Sequence, residues 1–194
     1  MKIGIYTGSF NPVHNGHIKI ANYLIDNYLD KVLVIPTGNY WHKNNLIDLE
    51  HRINMLKYFE NDKLIIDTKR NSISFSYEIL QDVQKEYKEE ELYLVLGADN
   101  IINFDKWMYK QELLKYNFII INRDNIDIKY YLDKLGKKDK YIIAKDLPSL
   151  DISATMIRKA IKSNNQEKLE SNMDKRVIKY IKDNNLYESK WLIC

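Results

Sequence analysis

Six short apolar runs are spaced along this chain, and each is followed by a stretch with helical periodicity. The runs are Lys2–Thr7, Lys31–Pro36, Leu64–Thr68, Leu92–Leu96, Phe118–Ile121 and Tyr141–Ala144. Between them, apolar residues recurring at three- and four-residue intervals predict helices over Ile18–Leu29, Asp48–Phe59, Ser74–Tyr87 and Asp127–Leu135. Asn100–Tyr116 reads as two short helices broken near Trp107, and two more helices follow at Ser153–Lys162 and Asp174–Asn184. A strand–helix–strand alternation leaves parallel pairing with right-handed crossovers as the economical solution. The runs are apolar throughout rather than alternating, as expected for strands covered on both faces. The expected fold is therefore α/β: a doubly wound, mainly parallel sheet with helices on both faces and a small C-terminal helical segment. With no Pro/Gly-rich linker, residues 1–188 read as one domain, the C-terminal helical part at about 153–188 and a tail at 189–194. Ligands of such sheets bind beyond the carboxyl ends of the strands, at the switch point. The first, second and fourth runs end in GSFNPVHNGH, TGNYWHK and GADN, so these three loops are expected to converge on one cleft.

Composition narrows the class. Thirty Lys and Arg against 27 Asp and Glu leave a net charge of +3, which does not suggest a nucleic-acid partner. No run approaches the ~20 apolar residues that span a bilayer. Met1–Thr7 is too short and is broken by Gly8, so neither a membrane nor a secretory signal is expected. The single cysteine, Cys194, permits no internal disulfide, and the expected compartment is the cytoplasm. A homo-oligomer is compatible with the sequence, and the apolar tail Trp191–Cys194 would suit either disorder or a subunit contact.

The stretch Gly8–His17 carries the chemistry. It joins a strand to an amphipathic helix, so it is a β-to-α turn. Gly8 lets the backbone turn sharply or approach a ligand closely, and Pro12 stiffens the loop. Asn15 is expected to cap the helix, with Gly16 leaving its first turn open. A helix N-terminus offers unpaired N–H groups and positive potential, which suits phosphate. His14 and His17 stand three apart, so both rings can face one anion. Taken alone, such a pair also fits an ordinary surface or half a metal site. A second element, Ile152–Arg158 (ISATMIR), has Ser153 as a good N-cap with Thr155 and Arg158 in the following turns. By itself it reads as a capped helix with a surface arginine.

Together these stretches resemble the GxFxPxHxGH and ISxTxxR elements of the HxGH nucleotidylyltransferase superfamily. Neither GxxxxGKS/T nor GxGxxG is present. The resemblance implies a Rossmann-like fold with two helix N-termini facing each other across a triphosphate. It also implies that Gly8, Ser9, Phe10, His14, Gly16, His17, Ser153, Thr155 and Arg158 bind ATP, with His14, His17 and Arg158 catalytic. A guanidinium bridges two phosphate oxygens as an ammonium cannot. The segment Leu96–Arg123 further resembles the GAD-x7-W...R pattern of nicotinate-nucleotide adenylyltransferases. That resemblance implies adenylyl transfer from ATP to nicotinate mononucleotide, giving deamido-NAD and pyrophosphate. Mg²⁺ would be carried by ATP, and no protein metal site is expected. Lys43, Ser76, Ala98, Asp99, Trp107 and Arg123 would bind the mononucleotide, the indole stacking on the pyridine ring. Read without the family, Trp107 is a core residue and Lys43 a solvated one. The chain departs from the family pattern at Asn11, where aspartate is common, and at Phe75 and Ser76, which replace Tyr and Thr. It also lacks the two prolines usual before His42 and Lys43, and Asn71–Ile73 replaces a commoner glycine-proline. Rival readings are a phosphopantetheine adenylyltransferase, a cytidylyltransferase, or a non-catalytic nucleotide sensor. His51 and the charge run Lys85–Glu91 read as solvated surface.

Overall fold

The computed structural model describes residues 1–38, 46–122, 126–144, 147 and 151–187. The strands are β1 (Lys2–Gly8), β2 (Lys31–Pro36), β3 (Leu64–Ile66), β4 (Glu91–Gly97), β5 (Asn117–Ile121) and β6 (Tyr141–Ala144). They form a sheet in the order β3-β2-β1-β4-β5-β6, and every pairing is parallel. The chain builds outward from β1 on one side and then resumes at β4 on the other. The topological switch therefore falls between β1 and β4.

Helices cover both faces. On one face lie α1 (Asn15–Asn27), α2 (Leu49–Lys57), α7 (Ala154–Lys162), α8 (Gln166–Asn172) and α9 (Lys175–Asp183). They pack on Val32 and Val34, Tyr93 and Val95, and Ile119 and Ile121. The other face carries α3 (Ser76–Glu86), α4 (Ala98–Asn103), α5 (Lys110–Leu113) and α6 (Ile128–Lys134), over Ile3, Ile5, Leu33, Ile35, Leu94 and Ile120. Successive strand residues thus feed opposite cores, as strand geometry dictates. That is why the strands read as unbroken apolar runs. Each fully buried aliphatic side chain contributes roughly 1.5–3 kcal/mol. The C-terminal helices complete the layer begun by α1 and α2.

Local details differ from the expectations. α1 begins at Asn15, with His14 rather than Asn15 as its N-cap. α3 begins at Ser76 rather than Ser74, with an extended Phe75 before it. β3 ends at Ile66, because the next residue, Asp67, turns to accept the N–H groups of Lys69 and Arg70. α8 has no counterpart in the sequence reading. It buries only Leu169 and is started by Asn165, whose side chain accepts the Lys168 N–H at 3.0 Å. The break near Trp107 is present, as a 3-10 turn over Phe104–Lys106. His51 is not solvated surface: its half-buried ring is bonded to the Tyr180 hydroxyl at 2.9 Å and joins α2 to α9. Lys43, His42, Arg123 and the tail lie outside the described residues.

Candidate active site

β1 and β4 part company at their carboxyl ends. Their register stops at Ile5↔Leu94, although β1 runs on to Gly8 beside β2 and β4 runs on to Gly97 beside β5. The last three residues of each strand therefore flank an opening at the switch point. The GSFNPVHNGH loop leaves one lip of it, and the GADN turn leaves the other.

The loop after β1 is tightly wound. Phe10 adopts φ 46°, in the left-handed region that is strained for a residue with a bulky side chain. Its ring is buried and packs edge-on against Tyr6 at 5.4 Å and against His17 at 4.9 Å. A Cβ on Gly8 would stand 3.0 Å from the Phe10 ring, so Gly8 is small to admit that ring. The Asn11–Pro12 peptide is cis. Gly16 does not leave the first turn of α1 open, contrary to expectation. A Cβ there would meet Ile152 Cγ2 at 2.7 Å and His14 Nδ1 at 2.9 Å. Glycine at position 16 is what allows the segment leading into α7 to rest against the start of α1.

The two imidazoles are brought together. His14 is 4% exposed and stacks on the half-buried His17, with ring centroids 3.7 Å apart and planes inclined by 24°. His17 Nδ1 accepts the His14 backbone N–H at 3.3 Å. An accepting Nδ1 carries no proton, so the proton of this ring resides on Nε2, which is then a donor. α1 has no acidic residue in its first turn, and nor does α7, so neither helix neutralises its own positive end.

α7 supplies the rest of this side. Ser153 caps it as expected, its Oγ accepting the Met156 N–H at 3.2 Å. Ser153 and Thr155 are exposed and Arg158 is half-buried. Arg158 crosses to the β1 loop: Nη1 donates to the Asn11 carbonyl at 2.7 Å, and Nη2 donates to Thr155 Oγ1 at 3.0 Å. Among the described residues these contacts engage two of its five N–H donors.

The other lip begins with contacts between near neighbours in sequence. Gly97 N–H donates to Asn100 Oδ1 at 3.1 Å and turns the chain into α4, with Ala98 buried and Asp99 exposed in its first turn. The Asp99 carboxylate folds back over Gly97. Trp107 is half-buried, its indole stacked on Phe104 at 5.1 Å and 27°, at the margin of a core rather than inside it. Two residues on, the left-handed Tyr109 packs against Phe75 at 4.9 Å and Tyr77 at 4.5 Å. That cluster carries Ser76, the first residue of α3, to the Trp107 segment.

Two anchors of the site escaped sequence reasoning. Arg52, fully buried, donates from Nη1 to the carbonyls of Ser9 and Thr37 at 2.8 Å each, and from Nε to Ile47 at 3.2 Å. Burial lowers its pKa, with Tyr187 and Asp48 acting in the opposite sense. The signal was its spacing: Arg52 shares the buried face of α2 with Met55 and Leu56. Tyr187, near the end of the chain, donates its hydroxyl to Asn11 Oδ1 at 2.9 Å. No local pattern marks it. Among the described residues, no group of three or more His, Cys, Asp or Glu is placed to hold a metal, and no helix is long and apolar enough to cross a membrane.

A family model described as Cytidylyltransferase-like matches residues 5–160. A relative from Borrelia garinii subsp. bavariensis, named "Probable nicotinate-nucleotide adenylyltransferase", is 34% identical over 204 residues, covering 100% of this chain and 98% of its own. One of the same name from Acholeplasma laidlawii is 37% identical over 192 residues, covering 95% and 96%. Among solved structures, Plasmodium falciparum nicotinic acid mononucleotide adenylyltransferase complexed with NaAD superposes with a TM-score of 0.81 at 25% identity, covering 96% of this chain and 97% of that one. The same Plasmodium enzyme complexed with APC gives 0.76 at 26% identity, covering 96% of each.

Proposed function

Because the chain belongs to the nicotinate-nucleotide adenylyltransferase family, within the cytidylyltransferase-like proteins, we propose that it transfers the adenylyl group of ATP to nicotinate mononucleotide. The products are deamido-NAD and pyrophosphate, and the step belongs to NAD biosynthesis. The observation that carries the reading is the convergence of two helix starts at the β1/β4 opening, with Arg158 of α7 bonded to the loop that bears His14 and His17.

A mononucleotide phosphate oxygen attacks the α-phosphorus of ATP, and the bond from that phosphorus to the β-phosphate oxygen breaks. The nucleophile is already anionic at neutral pH, so no base is required, and catalysis is positioning plus charge stabilisation. His17 donates from Nε2 to an oxygen that gains charge in the transition state, and His14 holds the ring beside it. Arg158 directs its remaining donors to the departing pyrophosphate. Gly8, Ser9, Phe10 and Gly16 shape the phosphate loop, while Ser153 and Thr155 present hydroxyls at the start of α7. On the other lip, Trp107 offers its free face to the pyridine ring, Asp99 accepts from a ribose hydroxyl, and Ala98 and Ser76 offer backbone N–H groups. Lys43 and Arg123 remain candidate mononucleotide contacts on the family resemblance alone. Mg²⁺ enters with the substrate, as MgATP. Both substrates are soluble metabolites, and the proposed compartment is the cytoplasm.

The test is pyrophosphate release from MgATP, and separately from MgCTP, with nicotinate mononucleotide, its amide analogue, phosphopantetheine and glycerol phosphate in parallel. Release with the first, matched by deamido-NAD, supports the reading. Release only with phosphopantetheine, or only from CTP, assigns a different branch. No release with any acceptor, in a protein that still binds ATP, favours the nucleotide sensor.

A further inference from the structure

The phosphate loop is held from behind by the far end of the chain. Asn11 is 3% exposed and gathers three elements at once. Its carbonyl accepts from Arg158, and its Oδ1 accepts from the Tyr187 hydroxyl at 2.9 Å and from the Ile47 N–H at 3.4 Å. Tyr187 lies in the turn after α9, and both it and Asn185 are left-handed, with φ 65° and 49°. Such backbone states persist where surrounding contacts over-determine them, and they concentrate at functional positions. Here they aim a phenol at a loop 176 residues away in sequence. Burial raises the pKa of the phenol, against the opposing pull of Arg158 and Arg52, so the hydroxyl stays a donor through neutral pH. The strained Phe10 is thereby bracketed, with Ser9 tied to Arg52 on one side and Asn11 tied to Arg158 and Tyr187 on the other.

We propose that Tyr187 is a positioning residue for adenylyl transfer: by pinning the Asn11 side chain it fixes the carbonyl that orients Arg158. The inference rests on the reading that Arg158 serves the departing pyrophosphate. Asparagine fits this role because its amide oxygen accepts two donors without burying a charge.

Tyr187→Phe removes one hydroxyl and keeps the ring. The expected result is a kcat reduced about 3- to 10-fold, the range of one hydrogen bond, with KM for the mononucleotide unchanged and the melting temperature lowered by about 2–4 °C. Asn11→Ala is expected to lose at least as much, and Asn11→Asp, which keeps an oxygen acceptor, to recover most of it. That pair also replaces Tyr187→Phe if the phenylalanine variant does not fold. Adding Tyr187→Phe to Arg158→Ala should cost nothing further. An inactive Arg158→Ala beside a fully active Tyr187→Phe overturns the relay and leaves the arginine assignment standing. A lowered melting temperature with unchanged kcat makes Tyr187 structural only and overturns it too, as do losses that multiply in the double variant. Wild-type turnover in Arg158→Ala overturns the reading beneath the proposal.

Discussion

The two lips of the opening are built on different principles. The lip proposed for phosphate is tied by contacts between residues far apart in sequence: Arg158 to Asn11, Tyr187 to Asn11, and Arg52 to Ser9. The lip proposed for the pyridine ring is tied by hydrogen bonds between neighbours, Gly97 to Asn100, Asn103 to Asp99 and Trp107 to Phe104, and reaches further only through the ring contacts of Tyr109 with Phe75 and Tyr77. The first lip is largely buried, with Phe10, Asn11, His14 and Arg52 all at 4% exposure or less, whereas Tyr109 on the second is 45% exposed. Phosphoryl chemistry needs donors held at fixed positions before the substrate arrives, because reorganisation during reaction costs rate. Recognition of a flat ring needs one apolar face and tolerates adjustment. The lips also rest on opposite faces of the sheet, α1 and α7 on one and α3 and α4 on the other, so damage to one need not reach the other.

The largest expected effect tests the phosphate lip directly. His17→Ala should lower kcat roughly 10²–10³-fold, the loss typical of one donor to a developing oxyanion. The melting temperature should fall by only a few degrees, because the ring is partly exposed although it stacks on His14 and accepts its backbone N–H. Turnover within a few-fold of wild type would detach His17 from the chemistry.

Arg52→Met strikes the same lip through its support. The carbonyls of Ser9, Thr37 and Ile47 lose the buried guanidinium they share, and each group left unsatisfied costs about 1–3 kcal/mol. A loss of about 3 kcal/mol or more in denaturant unfolding is expected, with turnover falling in the protein that remains folded. A loss below about 1 kcal/mol would show that the loop holds its shape without the guanidinium.

Trp107→Ala tests the pyridine lip. Mononucleotide KM should rise about tenfold, equivalent to about 1.4 kcal/mol, while KM for ATP and kcat stay close to wild type. Because the indole is at the core margin, folding should survive. An unchanged mononucleotide KM in a stable variant would remove Trp107 from the site. A rise in both KM values would show that the two lips are coupled after all.

The smallest effect concerns the base of α3. Hydrogen bonds from Arg70, and then Lys69, lower the pKa of Glu86, in a cluster where Arg70 also meets Asp67 and Asp82. A carboxylate whose folded pKa lies below its unfolded one contributes stability above the unfolded value. That contribution is lost as pH falls through the folded value. Glu86 is 40% exposed, so solvent screening limits the effect, and Glu86→Gln should cost less than about 1 kcal/mol at neutral pH. The gap between variant and wild type should close as the pH drops through the carboxylate range. A gap that persists in acid would assign the loss to packing.

Much of this architecture was legible without coordinates. Strand count, the parallel sheet and the covering of both faces follow from apolar runs set by local periodicity, and β2 and β6 match their expected bounds. The Ser153 cap and the pairing of His14 with His17 were legible too, because both depend on residues three apart. Other features were decided only by the tertiary structure. Arg52 went unread; its spacing would put it on one face with Met55 and Leu56, but says nothing of which carbonyls it meets. Gly16 was read as open when its space belongs to Ile152, and Asn15 was read as the cap when His14 has that place. Tyr187 carried no sign at all of its reach to Asn11. Periodicity and capping are written in neighbours a few positions apart. A contact spanning 176 residues exists only once the sheet, its two helical layers and the turn after α9 have closed around the same loop.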